Sequence, residues 1–473
     1  MLRIDFNTRR RLGVFLLLAA DAVIFLFIFR LALFVRMTIF PLVFHIPFVS
    51  QNAFRYEWIL PLCLMIFLIN GGYTKRFTFW DEVKFAWKSV LLASVAVFTF
   101  AFLGKEGELF SRSLLFIATA LAVLIFPFAR IAAKRAIYKI GFLKRKLIIL
   151  GAGPSALLSL ALLKKEANLG YEIAGFVDEN PGTRQGIKVH GFIDRADKYV
   201  KRCRINDVLI AADLSGDRMG SLVNRVQQKA ENTLFVPDLA GVAAMGAEFR
   251  HFFSDRVFVL EIKNNLAHLS TRALKRLLDF AGGWLFLIVF ALPMLAIALL
   301  IKATSKGPAI ISQKRIGRNG KPFNCYKFRT MVLRADDVLR DLLAKDPAAR
   351  KEWETQRKIK DDPRVTVVGK FLRTSSLDEL PQIFNVLAGQ MSVVGPRPVT
   401  EGEINEHYRE HSDICLSVPP GITGLWQVSG RNDISYSQRV TMDAWYVRNW
   451  CLWLDIVILM KTVGVVLRRE GAY

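Results

Sequence analysis

Leu12 to Val35 is an apolar stretch interrupted only by Asp21 and Arg30, long enough to cross a hydrocarbon core about 30 Å thick. Trp58 to Tyr73, Phe85 to Leu103 and Leu114 to Arg130 repeat the pattern. Residues 1–145 are therefore expected to form a bundle of four transmembrane helices. A cleaved signal peptide fits the first segment poorly, because no small-residue cleavage site follows it and three more apolar segments do. Arg3, Arg9, Arg10 and Arg11 precede the first segment, and Lys75, Arg76, Lys84 and Lys88 separate the second from the third. Seven basic residues and no acid run from Arg130 to Lys146. By the positive-inside rule both ends of the bundle face the cytoplasm, as does the chain that follows it. The formal charge of +24 is then a consequence of topology, and nucleic acid is not an expected partner. The five cysteines are scattered, without the spacing of a disulfide framework or a zinc site.

From Lys146 to about Leu266 the pattern becomes that of a Rossmann-like α/β domain. A short apolar run ends in Gly151-Ala152-Gly153-Pro154-Ser155-Ala156, a helical pattern follows, and a second strand, Ile173 to Val177, ends at Asp178. This is the order of a dinucleotide-binding unit, with a diphosphate expected at the helix start. Pro154 removes one backbone donor from that loop, so a structural or regulatory domain is the preferred reading and cofactor binding the alternative.

Gly282 to Ile301 is uncharged over its whole length but has Pro293 at its middle. Basic residues flank it on both sides, Arg272, Lys275 and Arg276 before and Lys302, Lys306, Lys314 and Arg315 after. Positive charge at both ends favours a re-entrant helix-break-helix hairpin, residues 282–301, over a kinked spanning helix.

The chemistry-bearing residues follow. No acid occurs between Ala281 and Ala335, against nine basic residues. A strand over Phe323 to Met331 would put Lys327 and Arg329 on one face, a pair of cations suited to an oligophosphate. In Arg373-Thr374-Ser375-Ser376-Leu377-Asp378-Glu379-Leu380-Pro381-Gln382, Pro381 belongs in a first helical turn, so a helix is expected from Leu377–Leu380 to about Gly389. Asp378 and Glu379 then lie at its start, ionised and suited to a nucleophile or a magnesium ligand. Ser376 and Glu379 also match a capping box, which needs no chemistry. Gly395-Pro396-Arg397-Pro398 holds an arginine on a stiff backbone, fit to clamp an anion. Val332 to Lys360 reads as a solvated helix or a dimer contact. Trp450 to Leu467, with Asp455 and Lys461, reads as an interfacial helix, with Trp445, Trp450 and Trp453 in the headgroup layer or packed in a core.

Lys327-Phe328-Arg329-Thr330-Met331, Asp361-Asp362-Pro363-Arg364-Val365-Thr366, Ser376 to Gln382, Gly395 to Pro398, Pro420-Gly421-Ile422-Thr423-Gly424 and Gly430-Arg431-Asn432 occur in one order. In that order, over roughly residues 270 to 473, the chain resembles the bacterial monotopic phosphoglycosyl transferases. The four-helix front, the Rossmann-like middle and the Gly471-Ala472-Tyr473 ending resemble the long form of the family. The resemblance implies a catalytic domain over 267–473 that transfers a hexose 1-phosphate from a UDP-sugar to undecaprenyl phosphate. In it Asp378 is the nucleophile of a phosphosugar-aspartyl intermediate, UMP leaves, and Glu379 is its dyad partner, associated with Mg2+. Lys327, Arg329, Arg373 and Arg397 fall on positions near the phosphates, and Pro293 kinks the membrane hairpin, although Leu292 stands where the family often has Ser. The resemblance favours galactose over glucose or an N-acetylated sugar. It implies a homodimer in the bacterial inner membrane, with the catalytic domain at the cytoplasmic face of the bilayer, starting O-antigen or capsule assembly. A transporter, a nicotinamide-dependent oxidoreductase and a non-enzymatic scaffold of polysaccharide export are the rival classes.

Overall fold

The computed structural model describes residues 6–44, 58–103, 111–179, 182–203, 205–212, 216–236, 248–251, 258–261, 265–347, 350, 359, 362–430 and 434–468. The chain divides into two compact units, Met1–Asp238 and Leu239–Tyr473.

The first unit joins a helical bundle to an α/β sheet. Helix α1 (Phe6–Phe34) continues through a π-helical turn at Val35–Ile39, and α2 (Ile59–Ile69), α3 (Phe79–Leu103) and α4 (Arg112–Lys139) follow. Thr8–Val43, Phe79–Ala101 and Arg112–Lys139 are long and apolar enough to cross a membrane. The expected second span differs. Among the described residues its helix is only Ile59–Ile69, which at 1.5 Å per residue covers about half of a hydrocarbon core.

Asp21, which breaks the first apolar stretch, is explained by its partners. Arg130 bonds Asp21, donates to Glu82 at 2.9 Å and reaches the Gly72 carbonyl at 2.6 Å, while Lys134 contacts the other Glu82 oxygen and Tyr73 donates to Asp21 at 2.9 Å. Asp21, Glu82 and Arg130 have no exposed surface. Buried charge in an apolar bundle persists only when paired this way, so the network fixes how α1, α3 and α4 meet.

Strands β1 (Arg145–Leu150), β2 (Tyr171–Asp178), β3 (Gly182–Arg184), β4 (Ile187–Gly191), β5 (Asp207–Ile210) and β6 (Asn232–Phe235) form one sheet in the order β3-β4-β2-β1-β5-β6. All pairs are parallel except β3 with β4. Helices α5 (Pro154–Lys165), α6 (Ala196–Arg202) and α7 (Gly216–Gln227) make the crossovers. The buried runs Leu147–Leu150 and Val208–Ile210 carry apolar side chains to both sheet faces, as parallel strands covered on both sides require. Gly151 takes φ +98°, and a Cβ there would lie 2.8 Å from the Ala211 carbonyl oxygen. The amide of Ala152 donates to the Asp178 carboxylate at 2.5 Å, so a second loop donor, beyond the one Pro154 lacks, is engaged within the chain.

In the second unit, β7 (Glu248–His251) and β8 (Phe258–Glu261) form an antiparallel pair. The expected boundary near Leu266 would have placed this pair with the sheet; it falls instead within Leu239–Tyr473. Helix α8 (Leu269–Thr304) runs unbroken through Pro293, so the interruption expected there is not formed. One side of it, including Met294 and Ile301, packs on Phe328, Leu372, Ile383 and Val386. Leu285, Ile288, Leu292 and Leu299 on the rest of its surface are 60–78% exposed, an apolar face that a bilayer would cover. Then come the antiparallel pair β9 (Ile310–Ile316) and β10 (Pro322–Phe328), followed by helices α9 (Ala335–Lys345), α10 (Val367–Thr374) and α11 (Gln382–Leu387). The parallel pair β11 (Ser392–Val394) and β12 (Gly421–Thr423) precedes α12 (Tyr436–Arg448) and α13 (Leu452–Arg468). Trp450 is buried at the start of α13 and donates to Asp455 at 3.0 Å, so of the two expected settings it takes the core.

Candidate active site

The acidic pair sits on a turn that the sequence makes sharply. Thr366 caps α10, its hydroxyl accepting from the Gly369 amide at 2.9 Å. The helix ends where Ser376 adopts a left-handed φ of +57°, a conformation disfavoured for a residue with a Cβ. Leu377–Glu379 then form one 3-10 turn and Pro381 caps α11. The single expected helix is thus split in two, and Ser376 makes no side-chain cap bond, so the capping box does not form. Asp378 and Glu379 are presented at the joint.

A residue without a sequence signal aligns this turn with the strand that faces it. Asn385 on α11 is fully buried; its side chain accepts from the Tyr326 amide at 3.0 Å and donates to the Asn324 carbonyl at 2.8 Å. That double contact fixes the register of β10 against α11 and brings Lys327 to Glu379, with Nζ 2.6 Å from Oε1.

Burial pushes the Asp378 carboxyl up to about 6, with the like charge of Glu379 adding to it and Lys327 and Arg373 opposing. The expectation of a fully ionised pair is therefore modified: desolvation outweighs the neighbouring cations, leaving roughly ten ionised carboxylates to one protonated at pH 7.

Arg397 approaches from the other side. A small cavity of about 10 Å³, room for about one water, is lined by Arg315, Lys327, Glu379, Arg397 and Gln427 among others. The Arg397 loop leaves β11 through a close backbone crossing. The Gly421 amide donates to the Pro396 carbonyl at 2.7 Å, and a Cβ on Gly421 would lie 2.1 Å from the Gly395 nitrogen, so only glycine fits. Beneath the loop lies Asp443, which accepts from Tyr408 at 2.9 Å and from the Arg397 backbone amide. Its burial raises the carboxyl to about 7. Glu403 binds Arg315 at 3.3 Å and accepts from Tyr436 at 3.1 Å. Asn385, Asp443 and Glu403 are common polar types at unremarkable spacings, and only the folded chain shows what they hold.

Arg329 is not brought to the acidic pair. It lies just beyond β10, is 5% exposed, and donates to the carbonyls of Ser305 and Lys306 at 3.0 and 2.6 Å. A Cβ on Gly307 would lie 2.2 Å from its guanidinium. It therefore holds the two carbonyls that follow the C-terminus of α8, where a cation is favoured, and the expected sharing of one strand face with Lys327 does not form. Arg373 bonds Thr330 at 3.0 Å and stays near enough to Asp378 to favour its ionised form. Asp362 chelates Arg364. Asp361, Arg431, Asn432 and the Gly471-Ala472-Tyr473 ending lie outside the described residues.

No cluster of three or more metal-ligating side chains occurs among the described residues. Magnesium commonly takes one or two protein carboxylates and fills its shell with water and phosphate oxygens. Asp378 and Glu379, adjacent on one turn, fit that donor requirement.

Residues 270–469 match the bacterial sugar transferase family, and residues 71–237 match a CoA-binding domain family. The chain is 41% identical over 406 residues to the undecaprenyl-phosphate galactose phosphotransferase of Salmonella typhimurium, covering 85% of this chain and 84% of that protein. It is 30% identical over 447 residues to a UDP-glucose:undecaprenyl-phosphate glucose-1-phosphate transferase of Klebsiella pneumoniae, covering 90% and 92%. A shorter relative, the exopolysaccharide production protein ExoY of Sinorhizobium fredii, is 48% identical over 199 residues, 42% of this chain and 88% of that protein.

Proposed function

The chain belongs to the bacterial sugar transferase family, and from that premise we propose that it moves a hexose 1-phosphate from a UDP-sugar to undecaprenyl phosphate. The observation that carries the reading is Asp378, a half-buried carboxylate raised to about 6 and so mostly ionised at neutral pH, beside a Glu379–Lys327 pair and within the field of Arg373. In the first step a carboxylate oxygen of Asp378 attacks the sugar-side phosphorus. The bond from that phosphorus to the bridging oxygen breaks, and UMP leaves with the electron pair. In the second, an oxygen of undecaprenyl phosphate attacks the same phosphorus, and the Asp378 carboxylate is released. Lys327 and Arg397 hold the charge of the diphosphate through both steps. Glu379 would hold Mg2+, which when bound neutralises phosphate charge.

The higher identity to the galactose phosphotransferase than to the glucose transferase supports galactose as the sugar. The product then starts polysaccharide assembly, as a lipid-linked diphosphosugar must be extended by further glycosyl transfer. Basic residues at both ends of the first bundle, Arg9 to Arg11 and Lys144 to Lys146, support a site at the cytoplasmic face of the inner membrane; the working unit in this reading is a homodimer.

The test is nucleotide release by detergent-purified protein given UDP-galactose, undecaprenyl phosphate and Mg2+, beside Asp378→Asn and UDP-glucose. UMP release that the variant loses is the expected result, and faster release from UDP-glucose would transfer the assignment to that sugar. Release of UDP would refute phosphosugar transfer.

A further inference from the structure

A cavity of about 300 Å³ opens in the first unit where the start of α1, the segment before α3 and the strand β1 meet, at the small end of the range for ligand sites. Eight of its lining residues are basic and only Glu172 is acidic. Three of the eight are accounted for by acids: Lys134 by Glu82, Arg145 by Asp207 and Glu231, and Arg10 by Glu231. Arg76 spends its donors on the Leu143 and Leu169 carbonyls and lies over the Tyr171 ring at 5.4 Å. Its guanidinium is destabilised first by burial and then by the charge of Arg145. Arg9, Lys75, Lys144 and Lys146 face the same space with no acidic partner among the described residues.

The positive-inside rule accounts for the number of these charges but not for their convergence on one hollow. Cations spread over a surface relieve their repulsion by separating; here the backbones of separate elements bring Arg9, Lys75, Lys144 and Lys146, all exposed, to the rim of a common volume that buried Lys134 and half-buried Arg76 also line. A counter-anion removes that repulsion. Val14, Leu17 and Leu143 supply an apolar wall to the same cavity. The glycine loop takes no part in it, because Gly151, Ala152 and Gly153 are absent from the lining. We propose that this cavity is a binding site for a phosphate-bearing ligand, separate from the Asp378 site. The phosphate could be carried by a membrane lipid headgroup or by a soluble phosphate compound, since the chemistry that recognises both is the same.

The test uses the full chain in detergent micelles and two probes: inorganic diphosphate, and mixed micelles containing phosphatidic acid compared with phosphatidylcholine alone. Binding is measured for the unaltered protein, for Lys144→Glu/Lys146→Glu, for the milder Lys75→Gln, and for Lys198→Glu/Lys201→Glu. The last pair is exposed, as Lys144 and Lys146 are, but lies outside the cavity. Far-UV circular dichroism and gel filtration establish that each variant is folded. The expected result is saturable binding weakened at least about tenfold by the cavity pair, as loss of two charge-assisted contacts requires, with less than about twofold change in the control pair at equal charge. Saturation by diphosphate identifies a soluble ligand class, and saturation by phosphatidic acid alone a lipid. Equal loss in the cavity and control pairs, binding untouched by Lys144→Glu/Lys146→Glu and Lys75→Gln, or saturation by neither probe overturns the proposal.

Discussion

The electrostatics of the acidic turn make opposite demands on two substitutions. Asp378 is raised from 3.8 to about 6 by burial and by Glu379, against the pull of Lys327 and Arg373. A raised carboxyl means that the folded state holds the proton more tightly than the unfolded chain. Its destabilising effect therefore develops as pH rises through about 4 to 6, and reaches about 3 kcal/mol. In the proposed mechanism Asp378 attacks in its deprotonated form, so kcat/KM for UMP release should fall on the acid side with an apparent value near 6. Glu379→Gln removes the like charge and frees Lys327, which is 2.6 Å from it. Glu379 is the second cause of the upward shift after burial, and a change of about one pK unit corresponds to about 1.4 kcal/mol. The acid limb should move down to about 5, whatever happens to the maximum rate. Lys327→Met removes a cation and should move it up to about 7. The assay is UMP release from UDP-galactose between pH 4.5 and 8.5 for the three proteins. Limbs that stay together near 6, or that move in the same direction, would refute the reasoning.

Arg329→Met should lower thermal stability by about 1–3 kcal/mol through the unsatisfied carbonyls of Ser305 and Lys306, leaving the acid limb of UMP release in place; a melting curve with the pH profile checks both. Asn385→Leu strands the Tyr326 amide and the Asn324 carbonyl, so a similar stability loss is expected, together with a lower kcat as Lys327 loses its register against Glu379. Arg130→Leu leaves Asp21 and Glu82 buried with one cation between them; a loss of about 3–5 kcal/mol in detergent melting is expected, and unchanged melting would mean that water reaches the network. Asp443→Asn keeps the Tyr408 contact but removes a charge under the Arg397 loop; steady-state kinetics should show a raised KM for the UDP-sugar with intact melting.

What the sequence made legible was whatever depends on near neighbours in the chain. The apolar runs of α1, α3 and α4 are long and continuous, so their helices followed from hydropathy alone, whereas Trp58 to Tyr73 overstated the helix that Ile59–Ile69 forms. Asp378 and Glu379 were visible as an adjacent pair before a proline, but period-two alternation placed Lys327 and Arg329 together. That inference failed because β10 ends at Phe328, and beyond a strand end the alternation no longer constrains direction. Arg329 turned instead to the carbonyls of Ser305 and Lys306, just past the end of α8, a partnership 23 to 24 residues back in the chain that no local pattern records. Asp443 and Asn385 were invisible for the same reason: each is defined by partners that lie 35 to 61 residues away.

The same long-range contacts explain why the site and the membrane helix cannot be positioned independently. On α8, Lys275 donates to the Val394 carbonyl at 3.1 Å and to Asp455 at 2.7 Å, and Asp279 accepts from Ser392 and the Val393 amide at 2.9 and 3.0 Å. Arg276, between them, holds the last carbonyls of α11 at 2.5 and 2.8 Å. Three consecutive polar contacts of one helix thus grip β11, which leads into Arg397, and α11, which follows the acidic turn. All three lie N-terminal to the apolar stretch that begins at Gly282. The depth at which that stretch settles in lipid therefore sets the height of Asp378, Glu379 and Arg397 together, since none can shift without breaking a buried charge-assisted bond. A site held this way is fixed at one level relative to the apolar face of α8, which is what the proposed transfer from a soluble nucleotide sugar to a phosphate on a membrane lipid would need.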